Sequence, residues 1–154
     1  MASIIDQATD ALAGHLQPGE QVVAATRAQL DGNTVRFASA QAIGGIAGAV
    51  AAGWRFGDDV TDRLRRGAAV AVTDRRVVVF DVTAMGANPK NPVLIVDRAE
   101  VSDVVAGSKR IMLVKAPTFG FTVVDAGGER LDLRFEVAKV QAKTATAVVA
   151  ELQR

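Results

Sequence analysis

From Gly67 to Phe135 the apolar residues fall into short alternating runs, each closed by a turn signal, and only afterwards does a helical stretch follow. Alternation sends successive side chains to opposite faces of a strand, so this order builds a sheet from consecutive short strands. The runs are Ala68 to Thr73, Arg76 to Val82, Val93 to Asp97, Val101 to Ala106, Ile111 to Lys115, Phe119 to Asp125 and Glu129 to Phe135. Turns are expected at Thr73-Asp74-Arg75, at Gly107-Ser108-Lys109-Arg110 and at Ala126-Gly127-Gly128, with a loop over Thr83 to Pro92. Val137, Val140, Ala145, Val148, Val149 and Leu152 then make one broad stripe, which predicts a closing helix over 136–153.

Two elements precede the strands. Ile4, Ile5, Ala8, Ala11, Leu12 and Leu16 share a face at helical spacing, with Ser3 as the cap, so a helix is expected over 3–16. Pro18-Gly19 stops it. Glu20 to Leu30 alternates and reads as the first core strand, and Asp31-Gly32-Asn33 turns toward a short returning segment, Thr34 to Phe37. With 154 residues the chain suits one domain over 1–154. Helices flanking a run of antiparallel strands give an α+β fold rather than a parallel one.

Between Phe37 and Trp54 there is no charge, and the run AIGGIAGAVAAGW is almost all small and apolar. Acids then precede bases: Asp58, Asp59 and Asp62, followed by Arg63, Arg65, Arg66 and Gly67. That order suits a short helix, so 38–66 reads as a helical insertion between the first and second core strands. Gly44, Gly45, Gly48, Ala49 and Gly53 place small residues on shared helix faces, which permits close helix–helix approach. Each glycine costs a helix interior about 1 kcal/mol, so such a helix needs a partner. Its own domain, another copy of the chain and a bilayer all qualify.

Composition removes many chemistries. Lys+Arg is 18 against Asp+Glu 17, a net +1, which argues against a duplex nucleic-acid binder. Cys is zero, which excludes disulfide scaffolds, thiol catalysis and cysteine-ligated zinc. Tyr is also zero, and the single histidine, His15, has no cysteine or second histidine near it. Neither Walker nor Rossmann glycine spacing occurs. Asp58-Asp59-x-x-Asp62 matches a metal–diphosphate motif, but a helix N-terminus accounts for those acids, and no second cluster accompanies them. Gly45-Ile46-Ala47-Gly48 matches a GxxG loop without an adjacent base to reach RNA phosphates. No enzyme, metal or cofactor is expected. The first ten residues lack a basic n-region, and no segment reads as a membrane span, so a cytoplasmic protein, peripheral to the membrane at most, is expected.

Pro18-Gly19-Glu20 opens the first strand, AVAVTDRRVVVFDV (69–82) is strand, tight turn and strand, VLIVDRAEVSDVV (93–105) follows, and a helix closes the chain. This pattern resembles the bacterial pleckstrin-homology-like families over roughly residues 18–152, apart from the insertion. The resemblance implies a bent antiparallel β-barrel of about seven strands capped by a C-terminal helix. It also implies a binding and assembly scaffold rather than an enzyme, with homo-oligomers among its members. In lipid-binding relatives the loop equivalent to the insertion carries basic residues for headgroups; here that position holds the glycine-rich run.

Turns alternate between the two ends of such a sheet. The insertion and the 83–92 loop should therefore share an end, which gathers Trp54, Arg55, Phe56, Arg63, Arg65, Arg66 and Lys90 into one docking rim. A cationic rim beside an apolar projection suits an acidic protein partner or an anionic membrane surface. The alternatives are local: Trp54 and Phe56 packed in the core, and the arginines paired with Asp58, Asp59 and Asp62. Arg75 and Arg76 fall at the opposite end, where Asp74 shapes the turn and an arginine pairs with it or with the terminal helix. The expectation is a non-catalytic, self-associating scaffold that docks a protein or a membrane; a monomeric anionic-lipid module is the alternative.

Overall fold

The computed structural model describes residues 3–30, 63–85, 87–111, 113–124 and 130–154. The glycine face (Gly44, Gly45, Gly48, Ala49, Gly53), the trio Trp54, Arg55 and Phe56, the segment 34–37 and the turn at 126–128 lie outside them.

Helix α1 (Ile4–Ala11) is followed by β1 (Val22–Leu30), β2 (Ala68–Thr73), β3 (Arg76–Val82) and β4 (Pro89–Asp97). A short 3-10 turn (Arg98–Glu100) leads into β5 (Val101–Ile111), β6 (Val114–Val124) and β7 (Arg130–Glu136). A second 3-10 turn (Lys139–Gln141) opens α2 (Ala142–Leu152). The strands form one antiparallel seven-stranded sheet in the order β4-β3-β2-β1-β7-β6-β5. The chain is thus α+β with a helix at each terminus.

The expected barrel is an open sheet. Its outer strands are β4 and β5, with no pairing between them among the described residues. The Arg98–Glu100 turn and a bulge between Ser102 and Val105, with Asp103 at φ 51°, carry β5 off the line of β4. Pro89 and Pro92 on β4, and Lys109 and Arg110 on β5, blunt these two edges against further strand pairing.

β1 joins two half-sheets. It pairs with β2 over six register positions but with β7 at only two, Gln29 with Glu136 and Leu30 with Phe135. The inner faces of both halves close on α2. Phe119, Phe121, Leu131, Leu133 and Phe135 meet Val70, Val72, Val77 and Val79, and Ala145 and Val148 of α2 seal them. The Phe119 and Phe135 rings stack with centroids 5.2 Å apart. A second cluster lies on the outer face of the β1–β4 half, where Ile4 and Ala8 of α1 and Leu12 just after it cover Ala69, Ala71, Val78 and Phe80. β2 is therefore buried on both faces, which explains why AAVAVT carries no charge.

Several boundaries differ from the sequence reading: β4 begins at Pro89, inside the loop expected over Thr83 to Pro92, and the strands expected at Ile111 to Lys115 and Phe119 to Asp125 are replaced by the single β6. α1 ends at Ala11 and continues only as turns to His15. α2 starts at Ala142, so Val140, expected in the buried stripe, is 87% exposed on the preceding 3-10 turn. Gly107–Arg110 is strand, not turn: β5 and β6 run on to a tip between Ile111 and Val114. The glycine and serine suggested a turn, but Gly107 pairs with Thr118 in the ladder, and long-range pairing overrides its local preference.

Candidate functional site at the basic end

The two ends of the sheet carry different chemistry. At one end sit Thr73-Asp74-Arg75-Arg76 and the Pro18-Gly19-Glu20 turn. Glu20 is buried and accepts two hydrogen bonds from Arg76, Nη2 to Oε1 at 2.6 Å and Nε to Oε2 at 2.9 Å. The Thr73 hydroxyl donates to the same carboxylate at 2.6 Å and accepts from the amides of Arg75 and Arg76 at 3.0 and 2.7 Å. The Gln17 amide donates to Glu20 at 2.9 Å. The Arg76 bonds hold the Glu20 carboxyl down to about 2, against the opposing pull of burial, with the Gln17 amide and Thr73 adding to the effect. Asp74 exchanges two bonds with the backbone of Gln21, both 3.1 Å. Arg75 reaches Gln17 at 3.3 Å, and Arg76 also donates to the His15 carbonyl at 2.7 Å. Arg98, rather than Arg75 or Arg76, meets the closing helix: it donates to the Glu151 carbonyl and lies 3.6 Å from the Glu151 carboxylate. This end is a structural clasp, and Arg76 pairs with Glu20 rather than with Asp74.

At the other end β1 stops, β2 begins, β3 stops and β4 begins. Leu64 is fully buried in the main core, and the Gly67 amide closes a turn on the Leu64 carbonyl at 3.1 Å. Anchoring Leu64 inward leaves Arg63, Arg65 and Arg66 outward and exposed. Gly67 has φ +140°, and a Cβ there would meet Val82 at 3.1 Å, so the tight entry into β2 requires glycine.

The result is an open hollow of about 470 Å³ lined by Arg63, Arg65, Arg66, Asp81, Val82 and Lys90. Arg63, Arg65, Arg66 and Lys90 are thus brought to one place. Asp81, which the sequence reading did not single out, is the one acid among them; it sits 3.6 Å from Arg63 and accepts from the Asn91 amide at 2.7 Å. Among the described residues four cations thus share the hollow with one carboxylate, whose oxygens are both engaged. The side chains of Arg66 and Lys90 make no hydrogen bond or ion pair with the described residues.

Arg66 also borders a second depression, about 540 Å³ and mostly apolar, with Ala28, Gly67, Ala116, Val137 and Val140 on its walls. Among the described residues three large apolar side chains are more than four-fifths exposed, Met85, Leu113 and Val140 at 86, 95 and 87%, and the register places all three at this end. No described residues group three or more potential metal ligands, and no described helix is long and apolar enough to cross a membrane. No protein-family model matches the chain, and no curated protein matches it.

Proposed function

We propose that the chain is a pleckstrin-homology-like, non-catalytic binding domain that docks on an anionic surface through its basic end. The observation that carries this reading is the hollow in which Arg63, Arg65, Arg66 and Lys90 come together with, among the described residues, one acid, Asp81. Like charges are gathered there at an electrostatic cost that an anionic partner relieves. The pleckstrin-homology-like assignment draws on the order of seven strands and a closing helix, and on the Glu20–Thr73–Arg76 clasp, which gives the Gly-Glu and Thr-Asp-Arg-Arg motifs a shared structural purpose.

The test is co-sedimentation with vesicles of equal parts phosphatidylglycerol and phosphatidylcholine, against phosphatidylcholine alone. Binding should be selective for the anionic vesicles and should weaken with added salt. Changing Arg63, Arg65 and Arg66 together to Ala should weaken it roughly 100-fold, at about 1 kcal/mol for each base near the surface. Equal binding by the triple variant would remove the hollow from the reading. Self-association through Gly44, Gly45, Gly48, Ala49 and Gly53 belongs to the same proposal as a sequence inference. Light scattering on a sizing column tests it: a defined oligomer lost on deleting 38–62 supports it, and a monomer removes it.

A further inference from the structure

The β5–β6 ribbon continues past the body of the sheet. β6 pairs with β7 only from Thr118 onward, whereas β5 and β6 pair with each other for four further positions, Ser108 with Pro117 through Ile111 with Val114. Two features of this projection are at odds with a purely structural role. Tight hairpin tips favour Gly, Asn and Asp, yet the sequence here is Ile111-Met112-Leu113-Val114, and Leu113 stands 95% exposed. Arg110 also lies directly opposite Lys115, a cross-strand pair of like charge, which destabilises a ladder. Neither side chain has a hydrogen bond or ion pair with a described residue, and the Lys109 ammonium next to them is 3.2 Å from Glu136.

An exposed leucine ahead of a pair of bases has the amphipathic order of a bilayer interface: acyl chains first, phosphates next, water last. Lys and Arg suit the phosphate level because their stems stay in apolar surroundings while the charge reaches the headgroups. An acidic protein would answer the bases but would leave Leu113 unexplained. We infer that the β5–β6 ribbon is a membrane-insertion element, in which Leu113 enters the acyl boundary of an anionic bilayer and Arg110 and Lys115 bind its phosphates. Resting on the docking reading above, this commits the anionic surface to a lipid. The ribbon tip and the basic hollow lie at the same end of the sheet, so one membrane can meet both.

The chain has no cysteine, so Leu113→Cys offers a single labelling site, with Gln153→Cys as a control at the clasp end. An environment-sensitive fluorophore at 113 should shift to the blue on adding phosphatidylglycerol–phosphatidylcholine vesicles and should be quenched by brominated acyl chains. The same label at 153 should stay aqueous. Unlabelled Leu113→Glu should bind the vesicles about tenfold more weakly with an unchanged urea midpoint, because burial of an exposed leucine is lost and nothing in the fold is. If the chain co-sediments but the label at 113 stays in water, or Leu113→Glu binds like the wild type, the insertion element is wrong and the docking reading stands. If the unmodified chain ignores anionic vesicles, docking on lipid and insertion fall together, and retention on immobilised polyglutamate would then assign the basic end to an acidic protein.

Discussion

Arginines stand at both ends of this sheet, and they do different things. At the clasp end Arg76 is largely buried and its guanidinium makes three hydrogen bonds to its own chain, two to Glu20 and one to the His15 carbonyl. At the basic end Arg66 is exposed and has no partner among the described residues. Residue type therefore says little about role. What separates the two is whether the fold supplies a buried carboxylate opposite the guanidinium. Where it does, the charge is part of the architecture; where it does not, the charge faces outward for another molecule to answer.

The largest effect should come from breaking the clasp. Glu20→Ala leaves Arg76 buried without its carboxylate and Thr73 without its acceptor, and should cost about 3–5 kcal/mol in urea unfolding. Lys90→Ala, at the opposite end, should stay within about 0.5 kcal/mol of wild type in the same measurement. Equal losses would erase the distinction between the ends.

Acid should do by titration what that substitution does by truncation. The folded Glu20 carboxyl titrates near 2, below its unfolded value, so its contribution is fully present above the ordinary carboxylate range. It is lost as the pH falls through that range toward 2, where the proton must be forced on. About 3 kcal/mol of stability should disappear over this window from Glu20 alone. Glu20→Gln should flatten that part of a pH–stability curve measured by urea melts. An unaltered acid limb would assign the loss to other groups.

The smallest effect sharpens the comparison from the other side. Among the described residues Asp81 is the one acid lining the basic hollow, so Asp81→Asn removes negative charge without removing a base. Affinity for anionic vesicles should rise about fivefold, at roughly 1 kcal/mol for each unit of surface charge. A fall instead would mean that Asp81 matters by holding Arg63 in place.

Much of this molecule could be read before its structure. The period-two runs located β2, β3 and β7 to within a residue, because those strands alternate or are bounded by tight turns. The gathering of Arg63, Arg65, Arg66 and Lys90 followed from turn alternation alone. Other features had no local signal. Asp81 looks like any exposed strand residue until β4 brings Asn91 beside it. The ribbon tip was hidden because Gly107-Ser108 has turn chemistry while Ile111-Met112-Leu113-Val114 has strand chemistry; only the β5–β6 register shows the reverse. Glu20 and Arg76 are 56 positions apart, and no spacing rule links them.

The junction at β1 bears on how the chain is made. Its neighbour β2 begins some distance along the sequence, and its other neighbour, β7, comes about 100 residues after β1, just ahead of α2. A ribosome delivers β1 long before anything exists to flank it on that second side. Until Phe119, Phe121 and Phe135 and the sealing helix have been made, the inner faces of β1, β2 and β3 lack the residues they close on. Such non-local closure is slow. The nascent β1–β4 half, with α1 already able to cover its outer face, is the species whose solubility should decide how much of this protein a cell recovers.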